Sequence, residues 1–167
     1  LVNAVYDKGQ ITIIILDNGT TAMTGHQDHP GTGISAQGKK TKAVELERLV
    51  WGIGVEDVKV VDAFNMKALR TSVRSAINSS ELSVIIVRGT CPMHVRRTHS
   101  EPRAVDADKC NGCGTCLRIG CLAIQSKNGR AYIDPDLCVG GACTICQQLC
   151  PKQAIGPRSA IMGEKSK

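Results

Sequence analysis

The cysteines are the residues of this 167-residue chain whose type and spacing most directly indicate chemistry. Eight of the nine fall in two groups of four, within the runs CNGCGTCLRIGC and CVGGACTICQQLC. In each group three thiols lie on a turn rich in small residues, and the fourth follows too far along the chain to join that turn. Thiolates at such short spacings can converge on one metal centre. The first group is Cys110, Cys113, Cys116 and Cys121, and the second is Cys138, Cys143, Cys146 and Cys150.

Three kinds of site use cysteines at these spacings. Iron–sulfur clusters take thiolates from Cys-x2-Cys runs whose last cysteine reaches a second cluster. Structural zinc ions also use Cys-x2-Cys pairs, although a triple run with a remote fourth ligand, present twice, is uncommon for zinc. Disulfides need an oxidising compartment, and the sequence shows no secretory signal. The spacing favours two clusters, with zinc as the alternative.

Composition limits the classes of protein that remain. The formal net charge is +6, but only four residues are aromatic, too few for a surface that stacks nucleic-acid bases. A zinc-stabilised nucleic-acid binder is therefore the weaker hypothesis, and we expect no nucleic-acid partner. No apolar run approaches the length of a membrane span, so we expect no membrane association. Oxygen-sensitive clusters and the absence of a recognisable targeting segment indicate a cytoplasmic protein of anaerobic metabolism.

The first ninety residues alternate apolar runs with amphipathic segments. Two amphipathic segments show apolar residues at helical spacing, and Thr41 and Asn65 are placed to cap them. Strands that alternate with helices predict an α/β fold with a parallel sheet and right-handed crossovers. The uninterrupted apolar character predicts strands that are buried on both faces. The strand runs are residues 10–16, 58–63 and 82–89, and the helical segments are residues 39–54 and 65–80.

A long polar loop follows the first predicted strand. Residues 16–33 read LDNGTTAMTGHQDHPGTG. In open α/β sheets ligands bind beyond the carboxyl ends of the strands, and a long loop within a compact domain is usually functional. Position alone therefore makes residues 17–33, called here the 17–33 loop, the candidate binding site of this domain.

The segment LDNGTTAMTGHQ resembles the second half of the thiamine diphosphate motif of 2-oxoacid:ferredoxin oxidoreductases. The whole chain resembles the C-terminal part of the alpha subunit of the indolepyruvate:ferredoxin oxidoreductases in that family. The resemblance implies part of a thiamine-diphosphate-binding α/β domain, followed by a small α+β ferredoxin-like domain with two 4Fe–4S clusters. The implied boundaries are residues 1–90 for the first domain, 91–103 for a linker, 104–157 for the ferredoxin domain and 158–167 for an irregular tail.

The resemblance also implies which cysteines would bind each cluster. Each cluster would take three thiols from one group and the last thiol of the other group. Two details depart from the usual pattern: Leu122 stands where proline is common, and four residues rather than two separate Cys138 from Cys143. Gly140 and Gly141 are interpreted as an insertion in that loop. Thiol set I is Cys110, Cys113, Cys116 and Cys150, and thiol set II is Cys121, Cys138, Cys143 and Cys146.

For the thiamine site, the resemblance assigns magnesium ligands to the start of the 17–33 loop. Asn18 would bind Mg²⁺ through its side-chain oxygen and Thr20 through its backbone carbonyl, the hard donors that this ion prefers. The other half of the motif, which supplies an aspartate, is not in this sequence. The further cofactor-binding candidates are Asp17, Thr24, Gly25, His26 and Gln27.

The resemblance implies oxidative decarboxylation of a 2-oxoacid with coenzyme A, and aryl pyruvates such as indolepyruvate are the family's substrates. Electrons would pass from thiamine diphosphate through the two clusters to an external ferredoxin, and a smaller beta subunit would be a partner. We expect the 167 residues alone to be inactive, because the aspartate half-motif and most of the sheet are missing. The alternative is an electron-transfer module whose α/β part is a docking scaffold without thiamine chemistry.

Overall fold

The chain divides into two compact units, Leu1–His94 and Val95–Lys167. The computed structural model describes residues 1–91 and 100–163. Most of the predicted linker, residues 92–99, and the end of the predicted tail, residues 164–167, lie outside the described residues. Among the described residues, no helix has the length and apolar character needed to cross a membrane.

Three parallel strands form the sheet of the first unit, in the order β1–β3–β2. Pairing in register places Asp17 of β1 and Asp62 of β2 opposite Arg88, the last residue of β3. Because β3 lies between the other two strands, its central residues are buried on both faces. This sheet confirms the α/β class predicted from the alternating pattern. The strands are β1 (Thr12–Asp17), β2 (Asp57–Asp62) and β3 (Ser83–Arg88).

Helices cover both faces of this sheet. Val50 of α2 packs against β3 in one cluster of buried residues, and Ala76 of α3 packs in a second cluster on the opposite side chains of β3. Asn65 caps α3 as predicted, because its side-chain oxygen accepts the N–H of Ala68 at 3.0 Å. The helices are α1 (Val2–Tyr6), α2 (Leu46–Gly52) and α3 (Met66–Ile77).

Helix α2 begins later than the sequence predicts. The predicted cap was Thr41, whereas the helix starts at Leu46. The N–H of Thr41 donates to the carbonyl of Gly33 at 2.8 Å, and the N–H of Val44 donates to the carbonyl of Pro30 at 2.9 Å. These residues therefore bind the end of the 17–33 loop instead of forming the first helical turn.

The prediction that the strands are buried on both faces is wrong for β1 and β2, the two outer strands of the described sheet; Val60 of β2 is 47% exposed. Within the described residues β1 pairs with β3 alone, so it is an edge strand. Ile13 and Ile15 pack into the core, but Ile14 is 46% exposed and Leu16 is 74% exposed. Its apolar run thus has one buried and one accessible face in this chain.

Two antiparallel strand pairs and two short α-helices are the main regular elements of the second unit within residues 100–163. The strand that opens its first half, β4, pairs with β7 at the end of its second half, and β5 pairs with β6 across the middle. Strand pairs combined with short helices give the unit an α+β character. The elements are β4 (Arg103–Val105), β5 (Ile124–Lys127), β6 (Arg130–Ile133), α4 (Ile145–Leu149), β7 (Ile155–Pro157) and α5 (Arg158–Gly163).

The expectation of an irregular tail from residue 158 is wrong for its first six residues, which form α5. The first amides of this helix have acceptors outside it. Arg158 N–H donates to the carbonyl of Pro102 at 3.0 Å, and Ser159 N–H donates to a carboxylate oxygen of Glu101 at 2.6 Å. These bonds satisfy N-terminal donors that would otherwise favour fraying.

Candidate functional site

The 17–33 loop is fixed to the sheet at its first two residues. The carbonyl of Asp17 accepts the N–H of Gly89, and the carbonyl of Asn18 accepts the N–H of Cys91, both at 3.0 Å. Both donors lie within three residues of the end of β3, so the loop starts at the carboxyl edge of the sheet as predicted. Because Cys91 makes this contact, it belongs to the first unit instead of the predicted linker.

The two predicted magnesium ligands lie next to each other at the start of the loop. The N–H of Thr20 donates to the side-chain oxygen of Asn18 at 3.1 Å, and Thr20 is buried. This bond orients the Asn18 amide and leaves its oxygen a second lone pair. An amide oxygen and a backbone carbonyl are hard donors, so the chemistry of this pair fits Mg²⁺. Their ligand roles stay a prediction.

The remaining loop candidates form one tight turn. An antiparallel bridge joins Thr21 to Gln27, and the Thr24 hydroxyl donates to the Gln27 side-chain oxygen at 2.7 Å. The Gln27 side-chain amide donates back to the Thr24 carbonyl. Gly25 and His26 both have positive φ, 113° and 64°, which closes the turn. The structure therefore brings the four predicted residues from Thr24 to Gln27 together, without defining an individual role for each.

Asp17 takes part in an ion-pair network that sequence reasoning missed. Arg88 Nε lies 2.7 Å from Asp17 Oδ2, and the Arg88 guanidinium pairs with both carboxylate oxygens of Glu47 at 2.7 and 3.0 Å. Hydrogen bonding to Arg88 lowers the pKa of Glu47 to about 2. The network ties β1, β3 and α2 together one residue before Asn18. The only signal in the sequence was an aspartate and an arginine at the ends of two strands.

Thiol set I lines one cavity in the second unit. Burial raises the pKa of the Cys116 thiol, and the other three thiols of the set raise it further because they are close enough to interact. The Thr115 hydroxyl, 3.5 Å from the Cys113 sulfur, lowers the pKa of that thiol. The structure thus places Cys150 with the first cysteine group, the combination that the resemblance implies.

Thiol set II is also gathered in one place. Burial is the main cause that raises the pKa of Cys143, and burial raises the pKa of Cys146 to about 11. The thiols that raise these pKa values further are members of the same set, including the remote Cys121 and the widely spaced Cys138. The role of both sets as cluster ligands stays a prediction, and the geometry brings the required thiols together.

Backbone amides point at two of these sulfurs. Cys138 Sγ accepts the N–H groups of Arg103 and Gly140, each at 3.4 Å, and Cys150 Sγ accepts the N–H of Ala154 at 3.3 Å. Such bonds to ligand sulfurs tune a bound metal centre. The donor set therefore fits iron–sulfur clusters, which are held by thiolates.

Two glycines allow the cysteine loops to lie directly against the backbone of other segments of the same unit. A Cβ on Gly112 would collide with the carbonyl oxygen of Gly129, and a Cβ on Gly140 would collide with the carbonyl oxygens of Ser100 and Glu101. Both glycines also have positive φ, 72° and 70°. Any other residue would push these loops open, so the widened loop after Cys138 is a close fit.

The same turn precedes the first cysteine of each group. The N–H of Cys110 donates to the carbonyl of Asp106 at 2.9 Å, and the N–H of Cys138 donates to the carbonyl of Asp134 at 3.1 Å. Each aspartate side chain also accepts the N–H of the residue two positions further on, at 3.0 and 2.9 Å. Equivalent turns thus position Cys110 and Cys138, which supports equivalent roles for the two groups.

All nine cysteines lie in the described part of the chain and carry free thiols. Among the residues that the structure describes, no group of three His, Cys, Asp or Glu side chains is close enough to hold a single metal ion.

Residues 1–87 match the family described as thiamine pyrophosphate enzyme, C-terminal TPP binding domain. The match covers just over half of the chain, which therefore belongs to this family of thiamine pyrophosphate enzymes. Its α/β fold with a parallel sheet agrees with that assignment.

Several curated proteins that are similar in sequence to this chain are named indolepyruvate oxidoreductase subunit IorA. The chain is 39% identical over 158 residues to that of Methanothermobacter marburgensis, an alignment covering 94% of this chain and 25% of the relative. It is 39% identical over 162 residues to that of Archaeoglobus fulgidus, covering 94% and 26%. It is 36% identical over 166 residues to that of Thermococcus kodakarensis, covering 94% and 25%. The chain thus spans about a quarter of the length of these relatives, and they confirm the resemblance to this type of subunit.

Proposed function

We propose that the chain is part of an oxidoreductase that oxidatively decarboxylates a 2-oxoacid with coenzyme A and passes the electrons to a ferredoxin. One observation carries this proposal: a thiamine-binding domain and a unit that gathers eight thiols into two sets of four occur on the same chain. Decarboxylation without oxidation needs no electron carrier, so a linked thiol-rich unit favours the oxidative reaction. The names of the relatives make indolepyruvate, an aryl pyruvate, the proposed substrate.

The first unit would bind the diphosphate end of thiamine diphosphate through magnesium. Asn18 and Thr20 would supply two oxygen ligands to Mg²⁺, with diphosphate oxygens and water completing the shell. When bound, thiamine diphosphate supplies an electron sink for cleavage of the bond to the carboxylate. Arg88 would hold Asp17, and with it Asn18, at the edge of the sheet. The turn from Thr24 to Gln27 would form the next part of the cofactor pocket.

The second unit, with residues 104–157 as its ferredoxin domain, would hold two 4Fe–4S clusters. When bound, each cluster accepts and releases one electron at a time, which suits delivery of the two electrons from a 2-oxoacid singly to a one-electron acceptor such as a ferredoxin. The N–H donors at Cys138 and Cys150 would help to set the reduction potential of the bound clusters. Burial around Cys146 would limit access of water to that ligand of set II.

A partner subunit and a separate electron acceptor complete the proposed enzyme. The relatives are named as subunits, so we propose a smaller beta subunit as the partner and an external ferredoxin as the acceptor. A coenzyme A substrate and oxygen-sensitive clusters accord with a reaction in the cytoplasm.

Substrate-driven reduction of the clusters tests the proposal. The full-length subunit, isolated without oxygen together with its partner, is mixed with indolepyruvate, coenzyme A, thiamine diphosphate and Mg²⁺. We expect the visible absorbance of the clusters to bleach only when all four are present, and an Asn18→Ala variant to bleach much more slowly. If dithionite reduces the clusters but neither indolepyruvate nor another 2-oxoacid does, the thiamine-driven reaction is refuted. That result would favour an electron-transfer module.

A further inference from the structure

The second unit carries an open groove between the β5–β6 hairpin, strand β4 and helix α5. Its floor is apolar and includes the buried residues Ala104 and Ile133. Exposed cations occupy its rim, and the described residues that line it include no carboxylate. The rim cations are Lys127, Arg130 and Arg158.

One of these cations is fixed in place by an aromatic ring. Lys127 Nζ lies 3.7 Å from the centroid of the Tyr132 ring, and both residues line the groove. A cation in this position is attracted to the face of the ring while it stays accessible to water. The rim therefore presents positive charge at a defined position beside apolar surface, the combination that suits an acidic protein partner.

The groove shares a wall with the cavity of thiol set I. Val105, Arg130 and Ala131 line both the groove and that cavity. All three lie on β4 or β6, so these two strands form a wall common to both spaces. No thiol of set II is among the described residues that line either space. A molecule seated in the groove would therefore lie against the wall of set I.

We propose that this groove is the docking surface for a small acidic protein that accepts one electron, an inference that rests on the proposed function. In this transfer a reduced cluster held by set I would be oxidised by one electron and the oxidised acceptor would be reduced by one electron, with no bond formed or broken and no proton moved. Attraction between the cationic rim and the acidic partner would speed association at low salt, and added salt would screen it. The apolar floor would supply contact area once the partner is seated.

Charge reversal on the rim tests the docking surface. In separate variants Lys127→Glu and Arg158→Glu reverse rim charges, and Arg70→Glu makes the same change at an exposed position on α3 of the first unit, outside the groove and the cysteine runs. The full-length subunit with its partner is reduced with dithionite, desalted and mixed in a stopped-flow instrument with a small acidic ferredoxin. Benzyl viologen serves in parallel as an acceptor that needs no docking surface.

We expect each rim variant to lower the second-order rate constant for the ferredoxin by about tenfold at low ionic strength. The difference should shrink at high salt, and the benzyl viologen rate and the Arg70→Glu variant should match the parent. Rim variants within twofold of the parent, or an equal loss in Arg70→Glu, would overturn the docking surface. Because dithionite supplies the electrons, this result does not depend on 2-oxoacid chemistry. A protein without iron would instead remove the proposed function, and the docking surface with it.

Discussion

Replacement of Arg88 by glutamine should destabilise the first unit and alter its response to acid. The substitution removes a guanidinium that donates to Asp17 at 2.7 Å and to both oxygens of Glu47 at 2.7 and 3.0 Å. The pKa of Glu47, lowered from 4.5 to about 2, corresponds to about 3 kcal/mol if solvent screening is ignored. The Arg88 side chain is 45% exposed, so we reduce this to a loss of about 1–2 kcal/mol.

The pH dependence of stability gives an independent check on the same contact. Because the pKa of Glu47 is lower in the folded chain, its contribution is fully present above about pH 4.5 and is lost as the pH falls towards about 2. We therefore expect the parent to lose stability across this window more steeply than Arg88→Gln. The measurement is urea unfolding of the chain at a series of pH values, followed by circular dichroism.

A matched control separates this network from an ordinary surface ion pair. Arg48 contacts Glu45 at 2.6 Å, but the two side chains are 73% and 53% exposed. Arg48→Gln should therefore change the free energy of unfolding by less than about 0.5 kcal/mol. Two results would refute the reasoning. One is an equal loss of unfolding free energy in Arg48→Gln and Arg88→Gln. The other is a fall of stability below pH 4.5 that is as steep in Arg88→Gln as in the parent.

Two further substitutions test the cofactor sites. In the full-length subunit Asn18→Ala should weaken binding of thiamine diphosphate with Mg²⁺ at least about tenfold in titration calorimetry, because an oxygen ligand is lost, whereas Asn78→Ala on the surface should not. Equal affinities of the parent and Asn18→Ala for the cofactor would contradict the proposed role of Asn18 as a magnesium ligand. Gly140→Ala should lower the bound iron per chain and cost about 1–3 kcal/mol of stability, because its Cβ would meet two carbonyl oxygens at positive φ. Gly120→Ala has similar φ and open space around it, so iron retained in Gly140→Ala, or lost equally in Gly120→Ala, would contradict the close fit.

Local sequence signals predicted those elements that depend on local interactions. The three strands and the cap of α3 follow from short apolar runs and one side chain, Asn65, which bonds three residues ahead. The start of α2 did not follow, because Thr41 and Val44 bond to the 17–33 loop instead. Competition from a distant segment leaves no mark in the residues of the helix itself.

The candidate site also combines residues that local sequence predicted with contacts between distant segments that it did not predict. Asn18 and Thr20 are two positions apart, so one short motif was enough to indicate them. The Arg88 network joins residues 71 and 41 positions apart in the chain and depends on the register of β1 against β3. The crossed thiol sets came from resemblance, since spacing alone does not pair Cys150 with Cys116. The groove combines residues from β4, a hairpin and an unpredicted helix, and no single stretch of sequence indicates it.

Iron and acid-labile sulfide content tests the central claim most directly. The full-length subunit is purified without oxygen, analysed for both elements and for zinc, and examined by electron paramagnetic resonance after dithionite reduction. Two 4Fe–4S clusters predict about eight irons and eight sulfides per chain, with signals of two interacting reduced clusters. Zinc in place of iron, without sulfide, would contradict the account, because thiol sets I and II would then bind no electron carrier.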